Sequence, residues 1–208
     1  MICDMELPAT TPERMSVEEY LRREVDSLEK HEYRDGEAIA MAGGTPEHSL
    51  IIANVIREMG NQLKGGSCRV YDSNLRMRIP RTPLYTYPDL SVICGPIQLY
   101  PKDPTQTTAT NPRVLVEVLS PSTEGYDRGE KFHRYLTIGS LEEYVLVSQV
   151  IPRVETFFRQ EGGTWLFTHV VGLDAIAKIR SLKIEIPLSE VYAGIVFPPD
   201  EPIDSATS

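Results

Sequence analysis

A single carboxylate inside an apolar strand pattern is the feature of this sequence that most constrains its fold. Residues 113–119 read Arg-Val-Leu-Val-Glu-Val-Leu, so Glu117 lies within one of the most apolar strand patterns in the chain. Burial of a carboxylate is costly unless the group is paired, hydrogen-bonded or bound to a metal ion. Either a salt bridge to an arginine or a functional site would therefore have to form around Glu117.

Helix and strand patterns alternate along the rest of the chain. Residues 45–47, Thr-Pro-Glu, are typical of a helix start, and apolar residues then recur at every fourth position from 51 to 63. Asp35 and Gly36 favour a hairpin turn between two short strands. The other patterns predict a short helix from residue 16, a helix at 127–138, a long loop at 95–111, and strands at 68–71, 75–79, 89–93, 113–119, 143–148, 154–158, 165–170 and 182–186.

This order of elements predicts an α/β or α+β fold, in which helices flank a mixed central sheet and extra antiparallel strands follow toward the C-terminus. The chain has 208 residues, a length that fits one domain. We assign that domain to residues 16–197, between a flexible N-terminal arm at 1–15 and a flexible polar tail at 198–208.

Several other classes of protein are excluded by simple sequence features. No apolar run approaches the ~18 residues that span a bilayer, and the first residues lack the basic and apolar regions of a signal peptide. We therefore expect a cytoplasmic protein without membrane contact. The three cysteines include no C-x-x-C pair, so we expect neither a disulfide framework nor a zinc knuckle.

Charge is distributed unevenly along the chain. The formal net charge is −9, which argues against a protein that wraps nucleic acid nonspecifically through a basic surface. Residues 57–86 nevertheless carry an excess of basic side chains, whereas residues 1–47 are strongly acidic. An anionic ligand such as a DNA phosphate would contact this basic stretch, chiefly Arg76, Arg78 and Arg81, unless these arginines only alternate along solvated strand faces.

Two further residues fit a site around Glu117. Asp89 directly precedes an apolar strand, although a lone aspartate at that position is more often a cap or turn residue. Lys131 shares a helical face with Asp127 and Tyr135, near the apolar side of the helix, where its alternative is to snorkel to the rim. The two carboxylates offer hard oxygen ligands that suit Mg²⁺ or Mn²⁺, and such an ion can activate water and neutralise charge on a phosphodiester. The nearby lysine can orient the attacking water or stabilise the reacting phosphate.

Four blocks of the sequence make the chain similar to a known family. They are EYRDGEAIAMAGGTPEH (32–48), YPDLSVI (87–93), LVEVLSPSTEGYDRGEKFHRY (115–135) and LEEYVLV (141–147). In these blocks the chain resembles the Uma-type restriction endonuclease family, a branch of the PD-(D/E)XK nuclease superfamily. The resemblance implies a restriction-endonuclease-like core and DNA as the substrate.

The resemblance also implies roles for individual residues. Asp89 and Glu117 would be the metal ligands, and with Lys131 they would form the catalytic set. The superfamily pattern places the lysine two residues after the acid, where this chain has Leu119, so the lysine role would have moved to the following helix. Further candidates are His48, Glu47, Glu37 and Tyr126. By analogy with related nucleases, which meet the two strands of a duplex, we expect a homodimer.

Two functions are compatible with the sequence. The first is a Mg²⁺- or Mn²⁺-dependent endonuclease that hydrolyses DNA phosphodiester bonds with a metal-activated water. The second is a non-catalytic protein that keeps the nuclease fold as a DNA-binding or protein-interaction module. The presence of all three types of side chain favours the first function, whereas the acidic net charge and Leu119 favour the second.

Overall fold

The computed structural model of the protein describes residues 14–41 and 43–197, so the predicted tail and most of the predicted N-terminal arm lie outside the described residues. The helices are α1 (Val17–Asp26), α2 (Pro46–Gln62), α3 (Glu124–Tyr126), α4 (Phe132–Tyr135) and α5 (Leu188–Val191), and a π-helical turn (Asp127–Lys131) joins α3 to α4. The strands are β1 (His31–Arg34), β2 (Glu37–Ala40), β3 (Cys68–Asp72), β4 (Arg76–Ile79), β5 (Leu84–Thr86), β6 (Leu90–Cys94), β7 (Thr108–Ala109), β8 (Val114–Leu119), β9 (Glu143–Ser148), β10 (Arg153–Arg159), β11 (Trp165–Val171), β12 (Ile176–Ile179) and β13 (Ile184–Pro187).

The strands form two larger sheets and one hairpin. The six-stranded sheet has the order β11-β10-β9-β8-β6-β3, and only its β8–β9 pair is parallel. The five-stranded sheet has the order β2-β1-β5-β4-β7, and β12 pairs with β13. The predicted mixed sheet with flanking helices and antiparallel strands toward the C-terminus is confirmed. Among the described residues, no helix has the length and apolar character needed to cross a bilayer.

Strand β8 is buried along its whole length because both of its faces are covered. Val114, Val116 and Val118 face a core cluster that includes the apolar residues of α2. Leu115 and Leu119 face a second cluster, on the side of α4. Since side chains alternate along a strand, Glu117 points toward this second cluster. The carboxylate therefore lies in the interior, as the sequence predicted for this segment.

Helix α2 begins where the sequence places its start. Thr45 is the N-cap, and its side chain accepts a hydrogen bond from the His48 backbone N–H at 3.2 Å. Pro46 occupies the first helical position, where no backbone hydrogen bond is lost. This cap fixes the start of the helix, and with it the position of the His48 side chain.

The helix predicted at 127–138 begins and ends three residues earlier and contains the π-helical turn. Asp127 and Lys131, the first and last residues of this turn, are both buried, and their side chains form an ion pair. The hydroxyl of Tyr144, on β9, donates to the Asp127 carbonyl oxygen at 3.1 Å. Turns of this kind are rare and often occur at functional sites.

Three strands were not predicted, and each is short. Strand β7 has two residues and lies inside the segment predicted as a long loop, while β5 has three residues and β12 has four. Segments of two or three residues are too short to show a hydrophobic period. Each of the three strands forms against a neighbour: β5 and β7 pair with β4, and β12 pairs with β13.

The expectation that the cysteines form no disulfide is wrong for one pair. Cys68 on β3 and Cys94 on β6 lie directly opposite each other in the antiparallel ladder and are bonded. They are 26 positions apart in the chain. The odd cysteine count gave no indication of this pair, since only the strand register brings the two residues together.

Candidate functional site

A cleft of about 590 Å³ opens where β6 begins and β8 ends. Asp89 directly precedes β6, and Glu117 lies near the end of β8; the two strands are antiparallel neighbours. The Asp89 carboxylate accepts a hydrogen bond from the Val118 N–H at 2.7 Å. In return, the Asp89 N–H points at the Glu117 carboxylate at 3.4 Å. Both predicted metal ligands therefore line the same end of the cleft.

The Glu117 carboxylate is held by two groups from the helical segment. The Tyr135 hydroxyl donates to Glu117 Oε1 at 2.8 Å, and Lys131 Nζ lies 2.7 Å from the same oxygen. Only 3% of Glu117 is exposed. Burial raises the pKa of Glu117 to about 8, although the charge of Lys131 opposes this shift. Any cation that binds Glu117 would lower this pKa by favouring the charged form.

Lys131 lies between two carboxylates and not at the rim. Its ammonium is 2.7 Å from Glu117 and 3.2 Å from Asp127, and its side chain is 7% exposed. Burial alone would lower the pKa of Lys131, but the negative charges of Glu117 and Asp127 raise it well above the usual value. The sequence predicted that Asp127, Lys131 and Tyr135 share one face of a helix. In the structure Lys131 and Tyr135 both contact Glu117, and Asp127 contacts Lys131.

His48 contacts the same Asp89 oxygen that accepts the Val118 N–H. Its Nε2 atom is 3.4 Å from Asp89 Oδ2 and 3.1 Å from the Val118 carbonyl oxygen. The hydrogen bond to Asp89 raises the pKa of His48, against the opposing effect of burial. A Cβ atom at Gly44 would lie 2.5 Å from the imidazole Nδ1 atom, so glycine leaves the room that this ring orientation needs.

One acidic residue of the cleft was missed by the sequence analysis. Glu32 on β1 is buried, and its carboxylate accepts hydrogen bonds from Tyr126 at 2.5 Å and from Thr86 at 2.7 Å. Tyr126, which the sequence offered only as a candidate site residue, lines the cleft and holds the Glu32 carboxylate through its hydroxyl. Glu32 stands in the family-like block at 32–48, but its strand is too short to reveal which side chains are buried.

Several predicted residues lie elsewhere. Glu47 is exposed in the first turn of α2, and the backbone of Glu37 lies opposite that of Arg34 in the register of the β1–β2 ladder. Arg78 stacks over the Tyr100 ring at 4.5 Å from its centroid. The described residues that line the cleft include His48 and Tyr126 but not Glu37, Glu47, Arg76, Arg78 or Arg81.

Arg76 requires a correction, because its guanidinium is buried and cannot reach a DNA phosphate. Its side chain is 4% exposed and lies 3.0 Å from the Asp103 carboxylate, with a further hydrogen bond to Thr108. Asp103 belongs to the segment predicted as a long loop. The excess of basic residues at 57–86 could not reveal which side chains turn inward to pair with such an acid.

Replacing Asp103 by asparagine should therefore destabilise the protein. Removing one partner of a buried ion pair leaves the other charge uncompensated, and we expect a loss of about 3 kcal/mol in the free energy of unfolding. Burial by itself would raise the pKa of Asp103, but hydrogen bonds from Thr105 and Thr108 and the charge of Arg76 hold it well below its usual range.

Urea denaturation of the wild type and Asp103→Asn at several pH values checks this expectation. Because the pKa of Asp103 is lower in the folded state, its contribution is complete above the unfolded pKa of about 4 and is lost as pH falls further. The difference between the two proteins should be full near neutral pH and should shrink in acid. A difference of less than about 1 kcal/mol near neutral pH, typical of exposed pairs, would contradict this role.

The side chains at the cleft end could hold a small divalent cation. Among the described residues, no group of three or more His, Cys, Asp and Glu side chains is arranged as a complete metal cage. Mg²⁺ does not require one, since it commonly binds one or two carboxylates and keeps several waters. Asp89 and Glu117 supply the two carboxylates. The buried Oε1 atom of Gln149, another residue of the cleft, has no hydrogen-bond partner among the described residues and could accept from such a water.

The chain is similar to known proteins over most of its length. Two proteins of Synechocystis sp. (strain ATCC 27184 / PCC 6803 / Kazusa) are similar to most of the chain. Uncharacterized protein slr1290 is 37% identical over 191 residues, which are 91% of this chain and 97% of that protein. Uncharacterized protein sll1609 is 35% identical over 174 residues, which are 84% of this chain and 97% of that protein.

A solved structure has the same fold. It is described as a putative nuclease belonging to DUF820 from Anabaena variabilis ATCC 29413 and superposes with a TM-score of 0.65. The alignment covers 83% of this chain and 96% of that one at 18% sequence identity. The family model named Uma2, described as "Putative restriction endonuclease", matches residues 17–189. The chain therefore belongs to the Uma2 family and shares its fold with that solved structure.

Proposed function

We propose that this protein is an endodeoxyribonuclease of the PD-(D/E)XK type that requires Mg²⁺ or Mn²⁺. The observation that carries the proposal is the meeting of Asp89, Glu117 and Lys131 at one end of a single cleft. Asp89 directly precedes β6, and Glu117 lies near the end of the neighbouring strand β8. Lys131 comes from the helical segment that follows β8. Three chemically complementary groups converge there although they are far apart in the sequence.

Asp89 and Glu117 would hold the metal ion through their carboxylate oxygens. When bound, a divalent ion supplies a water of lowered pKa and neutralises charge on the phosphodiester. His48 and the Val118 N–H both contact Asp89 and fix its orientation. Tyr135 does the same for Glu117, so neither carboxylate needs to reorganise before it binds a cation.

Lys131 would act on the reacting groups directly. An ammonium has three donors, and Glu117 and Asp127 account for two of them. The third donor is available to a water or phosphate oxygen in the cleft, which Lys131 lines. This arrangement supplies the charge that the superfamily pattern takes from the position of Leu119, which is a buried core residue here.

A nicking assay on supercoiled plasmid DNA tests the proposal. The wild type should convert the plasmid to open circles or linear DNA with Mn²⁺ and should leave it intact with a chelator. Asp89→Asn removes a proposed ligand and should abolish the conversion. Asp174→Asn makes the same change at an exposed position outside the cleft and should cleave like the wild type. A folded wild type that never cleaves would favour the non-catalytic module instead.

Arg78 and Arg81 remain proposed phosphate contacts. If they bind DNA, replacing both by methionine should lower the slope of log affinity against log salt by roughly one unit per lost contact. Fluorescence anisotropy with a labelled duplex at a series of salt concentrations measures this slope. An unchanged slope in the double variant would place the DNA elsewhere on the protein.

The homodimer also remains a prediction. Light scattering on the purified protein should give about twice the chain mass of 23.4 kDa. A mass near that of one chain would contradict it.

A further inference from the structure

Among the described residues, one cationic side chain of the cleft forms no ion pair. The described residues that line the cleft include three cationic or ionisable basic side chains: Arg34, His48 and Lys131. His48 is engaged by Asp89, and Lys131 is engaged by Glu117 and Asp127. Within residues 14–41 and 43–197, the Arg34 guanidinium makes neither a hydrogen bond nor an ion pair.

The Tyr126 ring nevertheless holds the Arg34 guanidinium in place. Arg34 is the last residue of β1, and its guanidinium carbon lies 4.6 Å from the centroid of the Tyr126 ring. The hydroxyl of Tyr126 donates to Glu32, two residues earlier on the same strand face, which fixes the ring beneath the guanidinium. The neighbouring Asp35 forms its ion pair with Arg134. The hydrogen bond from Arg134 lowers the pKa of Asp35, and the charge of Arg34 helps to lower it, but the Asp35 and Arg34 side chains form no ion pair within the described residues.

The Tyr126 ring also lies close to Lys131, one of the proposed catalytic residues. Lys131 Nζ is 6.0 Å from the Tyr126 centroid, so the two cations flank one aromatic ring. Arg34 therefore shares the Tyr126 ring with Lys131, but within the described residues it forms no ion pair with the carboxylates that hold Lys131. Stacking on an aromatic face leaves the N–H groups at the edge of a guanidinium free to bind an anion in its plane.

The charge balance of the cleft favours such an anion-binding group. Among the described residues, four acidic side chains line the cleft, those of Glu32, Asp89, Glu117 and Asp127, and their negative charge opposes the approach of a nucleic acid strand. Phosphate contacts supply most of the affinity of proteins for DNA. A planar guanidinium can bind a phosphate through two parallel hydrogen bonds, which a point charge cannot do.

We propose that Arg34, held on the Tyr126 ring, is a phosphate-binding subsite that contacts the DNA backbone next to the bond being cut. This inference rests on the proposed nuclease function and names a contact that the basic stretch at 57–86 does not provide. Tyr126 acts through Arg34 and Glu32 as a positioning residue, which accounts for its place in the cleft.

Binding of a labelled DNA duplex in the presence of Ca²⁺ tests this subsite, with a salt series for each protein. Arg34→Met preserves the packing on Tyr126 but removes the charge. Arg34→Lys keeps the charge without the planar fork. Arg22→Met is the matched control, because it removes one positive charge from an exposed position on α1, on the other side of the β1 strand. Circular dichroism melts establish that each variant is folded.

We expect Arg34→Met to bind about tenfold more weakly and its salt slope to fall by about 0.9, the value for one lost phosphate contact. Arg34→Lys should retain the slope but bind more weakly than the wild type. In the plasmid assay with Mn²⁺, Arg34→Met should raise KM with little change in kcat, because the contact is made equally in the ground state and the transition state. Arg22→Met should match the wild type throughout.

Two results would overturn the subsite, and they are distinguishable from failure of the nuclease proposal. If the wild type cleaves or binds DNA and Arg34→Met has the same affinity and slope, Arg34 is not a phosphate contact, while the nuclease proposal stands. If Arg22→Met loses as much affinity as Arg34→Met, the effect is one of net charge and the subsite is wrong. A wild type that neither binds nor cleaves DNA would overturn both proposals.

Discussion

Replacing Lys131 by methionine should reduce DNA cleavage by about 100-fold or more while the protein remains folded. Methionine preserves the length and much of the apolar packing of the side chain but removes the ammonium that lies 2.7 Å from Glu117. Loss of one preorganised electrostatic group commonly costs about 10²–10³ in rate. The decrease should be in kcat, because the third donor of Lys131 is proposed to act on groups that gain charge only in the transition state.

The measurement is single-turnover cleavage at saturating Mn²⁺, since loss of Lys131 also removes a charge that favours ionised Glu117 and would weaken metal binding. Lys178→Met is the control. Lys178 is exposed, and Glu185 is its one ion-pair partner in the described part of the chain, so its replacement removes the same charge without touching the cleft. If Lys131→Met cleaves as fast as the wild type, Lys131 has only a structural role. It then does not replace the catalytic lysine that the superfamily pattern places at the position of Leu119.

Replacing Glu117 by glutamine should weaken Mn²⁺ binding by at least about 100-fold. Loss of a residue that only hydrogen-bonds to a metal ligand already costs about 10- to 100-fold in metal affinity, and Glu117 is itself a proposed ligand. The change keeps the shape of the side chain but removes one of only two carboxylates proposed to hold the ion. Asp127 still pairs with Lys131 in this variant, so the ammonium is not left alone in the interior. Cleavage should fall with metal occupancy.

Isothermal titration with Mn²⁺ measures this effect, and the chain offers a close control. Glu143 is also a fully buried glutamate, on the neighbouring strand β9, where Ser181 and the Arg180 N–H bind its carboxylate. Glu143→Gln makes the same change in the same sheet but outside the cleft, and its affinity for Mn²⁺ should equal that of the wild type. Equal binding by wild type and Glu117→Gln would remove Glu117 from the proposed metal site.

Sequence reasoning succeeded where a residue conflicts with its own surroundings. A glutamate in the strand pattern at 113–119 required partners, and a lysine near the apolar side of a helix was a suitable one. The predicted helical face brought Lys131 and Tyr135 to Glu117, although the π-helical turn that delivers them has no recognisable sequence signal. The general architecture followed from the order of long, regular patterns.

Sequence reasoning failed where burial depends on partners that are remote in the chain. Arg76 belongs to a basic stretch, yet it turns inward because Asp103, inside an apparently irregular segment, accepts it. Glu32 and Arg34, whose guanidinium forms no ion pair with any residue that the structure describes, lie on a four-residue strand whose two faces cannot be told apart by pattern. The Cys68–Cys94 bond likewise depends on strand register alone.

Crystals soaked in MnCl₂ and measured at a wavelength where manganese scatters anomalously test the central claim most directly. We expect one anomalous peak in the cleft, within about 2.2 Å of an oxygen of Asp89 and an oxygen of Glu117, since octahedral sites for small divalent ions have bonds of about that length. The soaked Glu117→Gln crystal should lack the peak. A wild-type crystal with an accessible cleft and no manganese between Asp89 and Glu117 would contradict the claim that these two carboxylates hold the metal ion.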